Sequence, residues 1–461
     1  MTIPLNNLYD YIFSLTGHTN KNLIMYRLDP HGSKNLEDLI IHNTLENVDI
    51  YLPTAKKSKN SIHYKLLFCY DQEPLNFDLY AGEHFDTVRK ESFERMNGDI
   101  SPYNDSFGRR LTRKQNISGH ALVHPTIYDK KLLLHSERDS KDLKKYEKNG
   151  FVGIYYWSHA FIALDWYRFA KHDKSIDYPS IKSFDKDFNI YCRDWTGSRE
   201  YRLSLLSKIK KNKIDKKSYI FFNEYSNGVH FSDYNTQNNL WKLNEKEKKV
   251  LDDLECIKNG NTDPALSSVY NPENYKNSAI DIVLETIFDK EKVQLTEKIL
   301  RPIACQKPFI LVSEKKSLEY LQSYGFKTFG HLIDESYDSI ECPKKRLDAI
   351  TQTMVHIASL SKPEKEKLFF EMHEIAKFNK KWFFSKKFFN IVNDELKNNL
   401  TAAFNMLDDP KYQTAKEPML FYRGYKKYYS YFTGKAKKHA DSVLTEYPER
   451  IALSKKNIGI S

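Results

Sequence analysis

Glycine and proline are scarce, 16 of each in 461 residues, which excludes collagen-like and linker-type composition. Cysteine is scarcer still. The thiols Cys69, Cys192, Cys256, Cys305 and Cys342 are scattered and odd in number. With no CxxC pair and no Cys/His cluster, neither structural zinc nor a disulfide framework is expected. Small buried thiols in a reducing cytosol, and hence a cytoplasmic protein, fit this usage. No apolar run reaches the roughly 18 residues of a membrane helix. The opening MTIPLNNLYDYIFSLTGHTN has no basic stretch followed by an apolar one, so no secretory signal is expected. Phosphate loops and nucleophile elbows are absent as well: no GxSxG, GxxxxGKS/T or GxGxxG occurs.

Aromatics make up 14% of the chain, enough apolar material for true cores, which disordered chains lack. At about 150 residues per domain the length suggests two or three domains. The net charge of +11 points to an anionic partner, nucleic acid or nucleotide phosphate, although heavy Lys and Asn usage also produces it.

Short apolar runs alternate with helical patterns in the first part. NLIMYRL (22–28), YKLLFCY (64–70), KLLLH (131–135) and FVGIYYW (151–157) read as strands, and AFIALDWYRFAKH (160–172) as a helix. The polar segment 171–187 reads as a linker. A second series follows: strands at 188–193, 218–223, 279–286 and 308–313, with helices at 196–211, 295–304 and 317–325. Gly325 stands where a helix C′ residue belongs. Beyond about residue 344 the pattern is helical. The expected organisation is α/β: a first α/β domain over 1–175, a second α/β domain over 186–343 and a helical C-terminal region over 344–461. Two such halves facing a cleft would hold ligand at the carboxyl ends of their strands.

The stretch 279–310 carries the most chemistry. Glu285 ends a strand, Thr296 is a fitting N-cap, and Glu297 and Lys298 open a helix. A helix N-terminus favours phosphate. Lys298 adds a full charge, while Glu285 and Glu297 suit ribose hydroxyls. The same spacing also suits a capped surface helix with solvated charges.

The segment Glu285…Leu295-Thr296-Glu297-Lys298…Pro302…Pro308-Phe309-Ile310 resembles the donor-binding motif of fucosyltransferase-like GT-B glycosyltransferases. Further pieces are similar to a group of bacteriophage glycosyltransferases: Asp71-Gln72-Glu73-Pro74, His135-Ser136-Glu137, Tyr155 to His159, Asp165 to Arg168, Arg193 to Arg199, and the stretches at 325–329 and 334–338. The likeness covers roughly residues 60–345. Ala304-Cys305-Gln306-Lys307 departs from the small residues that commonly follow the motif, so a fucosyl donor is not implied.

The resemblance implies two Rossmann-like domains and a donor site in the second. There Glu297 engages the nucleotide ribose and Lys298 the diphosphate, with an arginine after the first strand, here Arg193, completing phosphate binding. Arg199 and Arg202 are i, i+3 neighbours, a spacing that puts both on one face as a diphosphate grip. An ordinary basic helix surface explains them as well.

Transfer to a hydroxyl needs a base. Asp71 and Glu73 follow a strand and precede Pro74, which forces a turn; either is a candidate, with Glu137, Asp165 and His159 next. Asp252-Asp253 and Asp408-Asp409 do not follow strands, so no DxD metal site is evident. Inverting transfer without metal or cofactor is expected, with a nucleotide-diphosphate sugar as co-substrate. KIKKNKIDKK (208–217), FNKKWFFSKKFF (378–389) and FYRGYKKYYSYFTGKAKK (421–438) mix bases with aromatics. Lys426, Lys427, Lys437 and Lys438 are the candidates for gripping DNA that carries a hydroxylated base. A glycan acceptor, a protein that merely holds nucleic acid, or plain amphipathic helices remain open alternatives.

Overall fold

The computed structural model describes residues 2–16, 23–28, 48–51, 65–76, 130–148, 151–178, 184–226, 228–258, 270 and 272–408. The chain divides into two compact units, and the division falls at Ser158/His159 and again at Asn393/Asp394.

The first unit holds α1 (Leu5–Leu15, from Asn6 on) and the strands β1 (Leu23–Leu28), β2 (Val48–Tyr51), β3 (Lys65–Cys69), β4 (Lys130–His135) and β5 (Phe151–Tyr155), with α2 (Lys141–Lys148) between the last two. The sheet order is β2-β1-β3-β4-β5. All neighbours are parallel except β2, which runs antiparallel to β1. β3 and β4 are near-continuous apolar runs because strands in a parallel sheet bury both faces. Gly153 in β5 admits α2 closely, since a Cβ there would lie 2.9 Å from Leu143 Cδ1. The winding reverses between β1 and β3.

The second unit begins with α3 (Ser158–Trp166, from His159 on). It continues through β6 (Lys186–Cys192), α4 (Tyr201–Lys211), β7 (Ser218–Phe222), the hairpin β8 (Tyr225–Ser226) and β9 (Val229–His230), α5 (Glu245–Asp252), β10 (Ile257–Lys258), α6 (Pro272–Asn277), β11 (Ser278–Leu284), α7 (Glu297–Ala304), β12 (Phe309–Val312) and α8 (Ser317–Ser323). Three longer helices follow: α9 (Pro343–Ser359), α10 (Lys362–Phe383) and α11 (Lys386–Asp408), the last crossing the division at Asn393. The five-stranded sheet is parallel throughout, in the order β10-β7-β6-β11-β12. Winding starts at β6, runs outward to β10, then returns to the other side of β6 as β11. The switch point therefore lies between β6 and β11, the place where open α/β sheets bind ligands.

The described residues of the polar segment 171–187 belong to this unit. Lys380 donates to Asp177 Oδ1 at 2.8 Å and to Asp173 O at 3.3 Å, and β6 already starts at Lys186. Gly325 has φ +87, and a Cβ there would meet Trp382 Cζ2 at 2.7 Å, so the turn after α8 admits glycine for two reasons. Buried Arg346 donates to Phe288 O, to Ile340 O at 2.7 Å and to Glu314 Oε1 at 2.9 Å, tying α9 to the loops after β11 and β12.

Candidate functional site

The carboxyl ends of β6 and β11 bring most of the sequence-predicted donor residues to one place. Arg193 directly follows β6 and is exposed. Asp194 next to it is a hub. Its Oδ1 accepts from Thr196 N at 3.0 Å, Thr196 Oγ1 at 2.9 Å and Ser226 Oγ at 2.7 Å, and its Oδ2 from Arg199 Nη1 at 2.8 Å. Burial raises the pKa of this carboxyl, but Arg199, Ser226 and Thr196 outweigh it and hold the group at about 2.

The two arginines expected on one helix face take different atoms of the same residue, Asp194: Arg199 its carboxylate and Arg202 its carbonyl. Arg199 closes a 3-10 turn, Gly197–Arg199, and keeps a partly exposed guanidinium. Arg202 sits in the first turn of α4 and is buried. Its Nη1 donates to Asp194 O at 2.5 Å, and its Nη2 to Leu284 O at 2.8 Å and Glu285 O at 3.0 Å. With three backbone carbonyls on the buried Arg202 guanidinium, the i, i+3 pair does not present a fork. Arg202 instead ties the loop after β6 to the end of β11.

Glu285 is fully buried. Its Oε1 accepts from Thr296 N at 3.1 Å and its Oε2 from Thr296 Oγ1 at 2.6 Å; burial raises its pKa. Thr296 is the N-cap of α7, accepting from Lys298 N at 3.3 Å. A buried carboxyl thus fixes the cap that opens the helix. Glu297 in the first turn is buried too. Lys298 Nζ lies 2.9 Å from its Oε1, and His159 Nε2, at the start of α3, lies 3.5 Å from its Oε2. Burial would raise Glu297, but Lys298 and then His159 prevail and hold it at about 2. The Lys298 side chain remains 30% exposed. Gln294, two residues before the cap, is buried with neither amide atom partnered.

The arrangement leaves three cations with residual exposure, Arg193 and Arg199 after β6 and Lys298 in the first turn of α7, while Glu285 and Glu297 are buried. Such a place can hold an anion with charge-assisted hydrogen bonds. Asp194 and Gln294 were not singled out from the sequence. His159 was weighed as a base, and the structure sets it against Glu297, 138 positions away, a pairing that no local pattern announces.

The candidate bases lie in the first unit. Asp71, just beyond β3, is fully buried and accepts from Tyr9 OH at 2.9 Å and from Tyr156 OH. Burial raises its pKa to about 6, against the pull of Tyr156, Tyr9 and Arg27. Glu73 is half-buried. Glu137 Oε1 accepts from Leu75 N at 2.6 Å, fixing the same loop. Asp165, in the second unit, accepts from Leu5 N at 3.0 Å and from Arg168.

Lys426, Lys427, Lys437 and Lys438 lie outside the described residues. No group of three or more His, Cys, Asp or Glu suited to a metal ion occurs among the described residues, nor any helix long and apolar enough to cross a membrane. Comparisons with protein-family models, curated proteins and solved structures gave no match.

Proposed function

We propose that this chain is a glycosyltransferase of the GT-B kind, moving a sugar from a nucleotide-diphosphate donor to a hydroxyl acceptor. Its two α/β units are taken as the acceptor-side and donor-side halves. The observation that carries the reading is the β6/β11 switch point, with Arg193 and Arg199 following β6 and Lys298 in the first turn of the capped α7 after β11. A diphosphate matches that set: it takes N–H donors and cations together. Arg193, Arg199 and Lys298 grip the diphosphate in place of a metal, and Glu297 meets the ribose hydroxyls. Glu285, Thr296 and Arg202 hold the frame. In the first unit the half-buried Glu73 takes the acceptor proton, and Asp71 holds the loop through Tyr9 and Tyr156. Inverting displacement then needs one carboxylate. The acceptor is a hydroxylated base of DNA or a glycan hydroxyl, and the protein acts without a resident cofactor.

The test is a thermal-shift screen with UDP, GDP, ADP and CDP without magnesium, followed by incubation of nucleotide sugars with hydroxymethylated DNA or glycans. At a hundredfold excess over Kd a true ligand adds about 2.7 kcal/mol of stability. A stabilising nucleotide, and release of that nucleotide from its sugar on addition of acceptor, is the expected result. No stabilisation by any nucleotide and no sugar on either acceptor overturns the proposal.

A further inference from the structure

We infer that Phe378 and Trp382 of α10, with Lys327, Lys381 and Lys387 around them, form a docking surface for single-stranded nucleic acid, the rings taking bases and the lysines phosphates. The inference uses none of the donor residues and holds whatever the donor is. Three observations carry it. First, Phe378 is not core. Phe369, Met372, His373, Ala376 and Phe383 supply the buried side of α10, whereas Phe378 is 37% exposed. Trp382, one turn on, is half-buried, and the two ring planes lie 5° apart with centroids at 6.4 Å.

Second, ammonium groups frame the rings. Lys327 Nζ lies 4.3 Å from the centroid of Phe378, and Lys387 Nζ 5.5 Å from that of Trp382. Lys381 is the i, i+3 neighbour of Phe378, and all three lysines are exposed. From Ile375 to Asn393 the chain has five lysines and no acid, and from Tyr320 to Ile333 it has Lys327 and no acid. Of the five, Lys377 is paired with Glu374 at 3.5 Å and Lys380 with Asp177 at 2.8 Å. Third, the frame is fixed. Lys327 N donates to Asn379 Oδ1 at 2.9 Å, and Asn379 Nδ2 donates back to Lys327 O at 2.8 Å. Trp382 Nε1 donates to Tyr324 O at 2.8 Å. Fixed aromatics beside cations match a polymer that alternates open base faces with phosphates. A duplex hides its base faces, a neutral glycan brings no phosphate, and an acidic peptide brings charge without bases.

The experiment measures binding of the full chain to an oligothymidylate of about 12 nucleotides, the matching duplex, inorganic polyphosphate and anionic phospholipid vesicles, at several salt concentrations. The variants are Phe378→Leu, Phe378→Tyr and the triple Lys327→Gln, Lys381→Gln, Lys387→Gln. Wild type should prefer the single strand over the duplex by about 10-fold or more. Phe378→Leu keeps apolar bulk without a ring; it should weaken the single strand about 10-fold and leave the salt slope unchanged. Phe378→Tyr should bind as wild type. The triple variant should lower the slope of log affinity against log salt by about 2, at roughly 0.7 per phosphate contact. All variants should melt near wild type, since the substituted side chains are exposed. Absence of single-strand binding at low salt, or binding unaltered by Phe378→Leu or by the triple variant, overturns the inference. Equal affinity for polyphosphate reduces the surface to a patch of charge and overturns it too. Tighter binding to vesicles than to the oligonucleotide, lost in Phe378→Leu, overturns it in favour of a membrane surface. Nucleoside diphosphates, measured alongside, should bind every variant as they bind wild type, so the docking surface and the donor reading fail separately.

Discussion

Replacing Lys298 by methionine separates the ion pair its ammonium makes with Glu297 from the phosphate contact proposed for it. Its Nζ lies 2.9 Å from Glu297 Oε1, with the two side chains 30% and 10% exposed. A solvent-exposed pair contributes about 0–1 kcal/mol, whereas stripping the partner from a fully buried charge costs about 3–5 kcal/mol. This pair lies between those limits, and His159 at 3.5 Å remains as a second partner. Lys298→Met should therefore destabilise the unit by about 1–3 kcal/mol. At about 2–4 °C per kcal/mol for a unit of this size, the melting temperature should drop by about 3–10 °C. Adding Glu297→Gln removes the orphaned charge and should restore most of that loss.

Diphosphate affinity should behave differently. A charge-assisted contact to phosphate is worth about 1.5–3 kcal/mol, so Lys298→Met should weaken a nucleoside diphosphate by about 10- to 100-fold and the bare nucleoside hardly at all. The double variant should regain stability but not diphosphate affinity. Acidification supplies a further check. Glu297 is held at about 2, below its ordinary 4.5, because Lys298 and His159 outweigh burial. A depressed carboxyl contributes stability that is present above pH 4.5 and is lost as pH falls toward 2. Lys298→Met should lose less than wild type across that window. Equal weakening of nucleoside and diphosphate, or none, refutes the phosphate role; an unchanged melt refutes the ion-pair reasoning.

Asp71 carries the opposite sign: burial raises its pKa from 3.8 to about 6, so its contribution to stability is present below pH 3.8 and is lost as pH rises through 6. Asp71→Asn should flatten denaturant-measured stability over that interval, and a slope like that of wild type would count against a buried, raised carboxyl. If Glu73 is the base, Glu73→Gln should lower turnover by about 10²-fold or more with donor affinity preserved; wild-type turnover would move the role elsewhere. Gly325→Ala faces both a φ of +87 and a Cβ 2.7 Å from the Trp382 ring, and should cost about 1–3 kcal/mol by denaturant melt; a neutral result would mean that the turn can rearrange. Arg346→Met strips the buried Glu314 of its cation and should cost about 3–5 kcal/mol, with partial rescue by Glu314→Gln; absence of rescue would place the cost in the lost carbonyl contacts instead.

Much of the fold is readable because parallel strands bury both faces and so appear as apolar runs. KLLFC, KLLLH, SAIDIVL and FILV all emerge as strands. The N-cap at Thr296 and the glycine turn at 325 are readable from residue type, since each position demands particular chemistry. The two-residue strands β8, β9 and β10 are shorter than any periodicity window, although Asn227-Gly228 is itself a hairpin signal in sequence. The direction of Arg202 was not legible because its carbonyl partners, Leu284 and Glu285, lie 82 and 83 residues away. Nor was the burial of Asp71, whose hydrogen-bond donors, Tyr9 and Tyr156, lie 62 and 85 residues away. Long-range partners decide such side chains, and spacing carries no trace of them.

The distribution of satisfied and open groups bears on the anion site proposed at the switch point. Glu285 accepts from both donors of Thr296, its pKa is raised by burial, and it takes no cation directly. Asp194 is committed to Thr196, Ser226 and Arg199, and Glu297 to Lys298 and His159. Glu285 and Glu297 thus have protein partners on both oxygens, in a buried setting where losing a partner is costly. The cations differ. Arg199 and Lys298 each hold one carboxylate oxygen while 26% and 30% of the side chain stays open to solvent, and a guanidinium or ammonium has donors to spare. An arriving phosphate can be added to these cations without breaking a buried bond. An arriving cation would have to strip a carboxylate of its partner first. At the Lys298–Glu297 pair the fold buries the acid and leaves the cation open, which is the asymmetry an anion site needs.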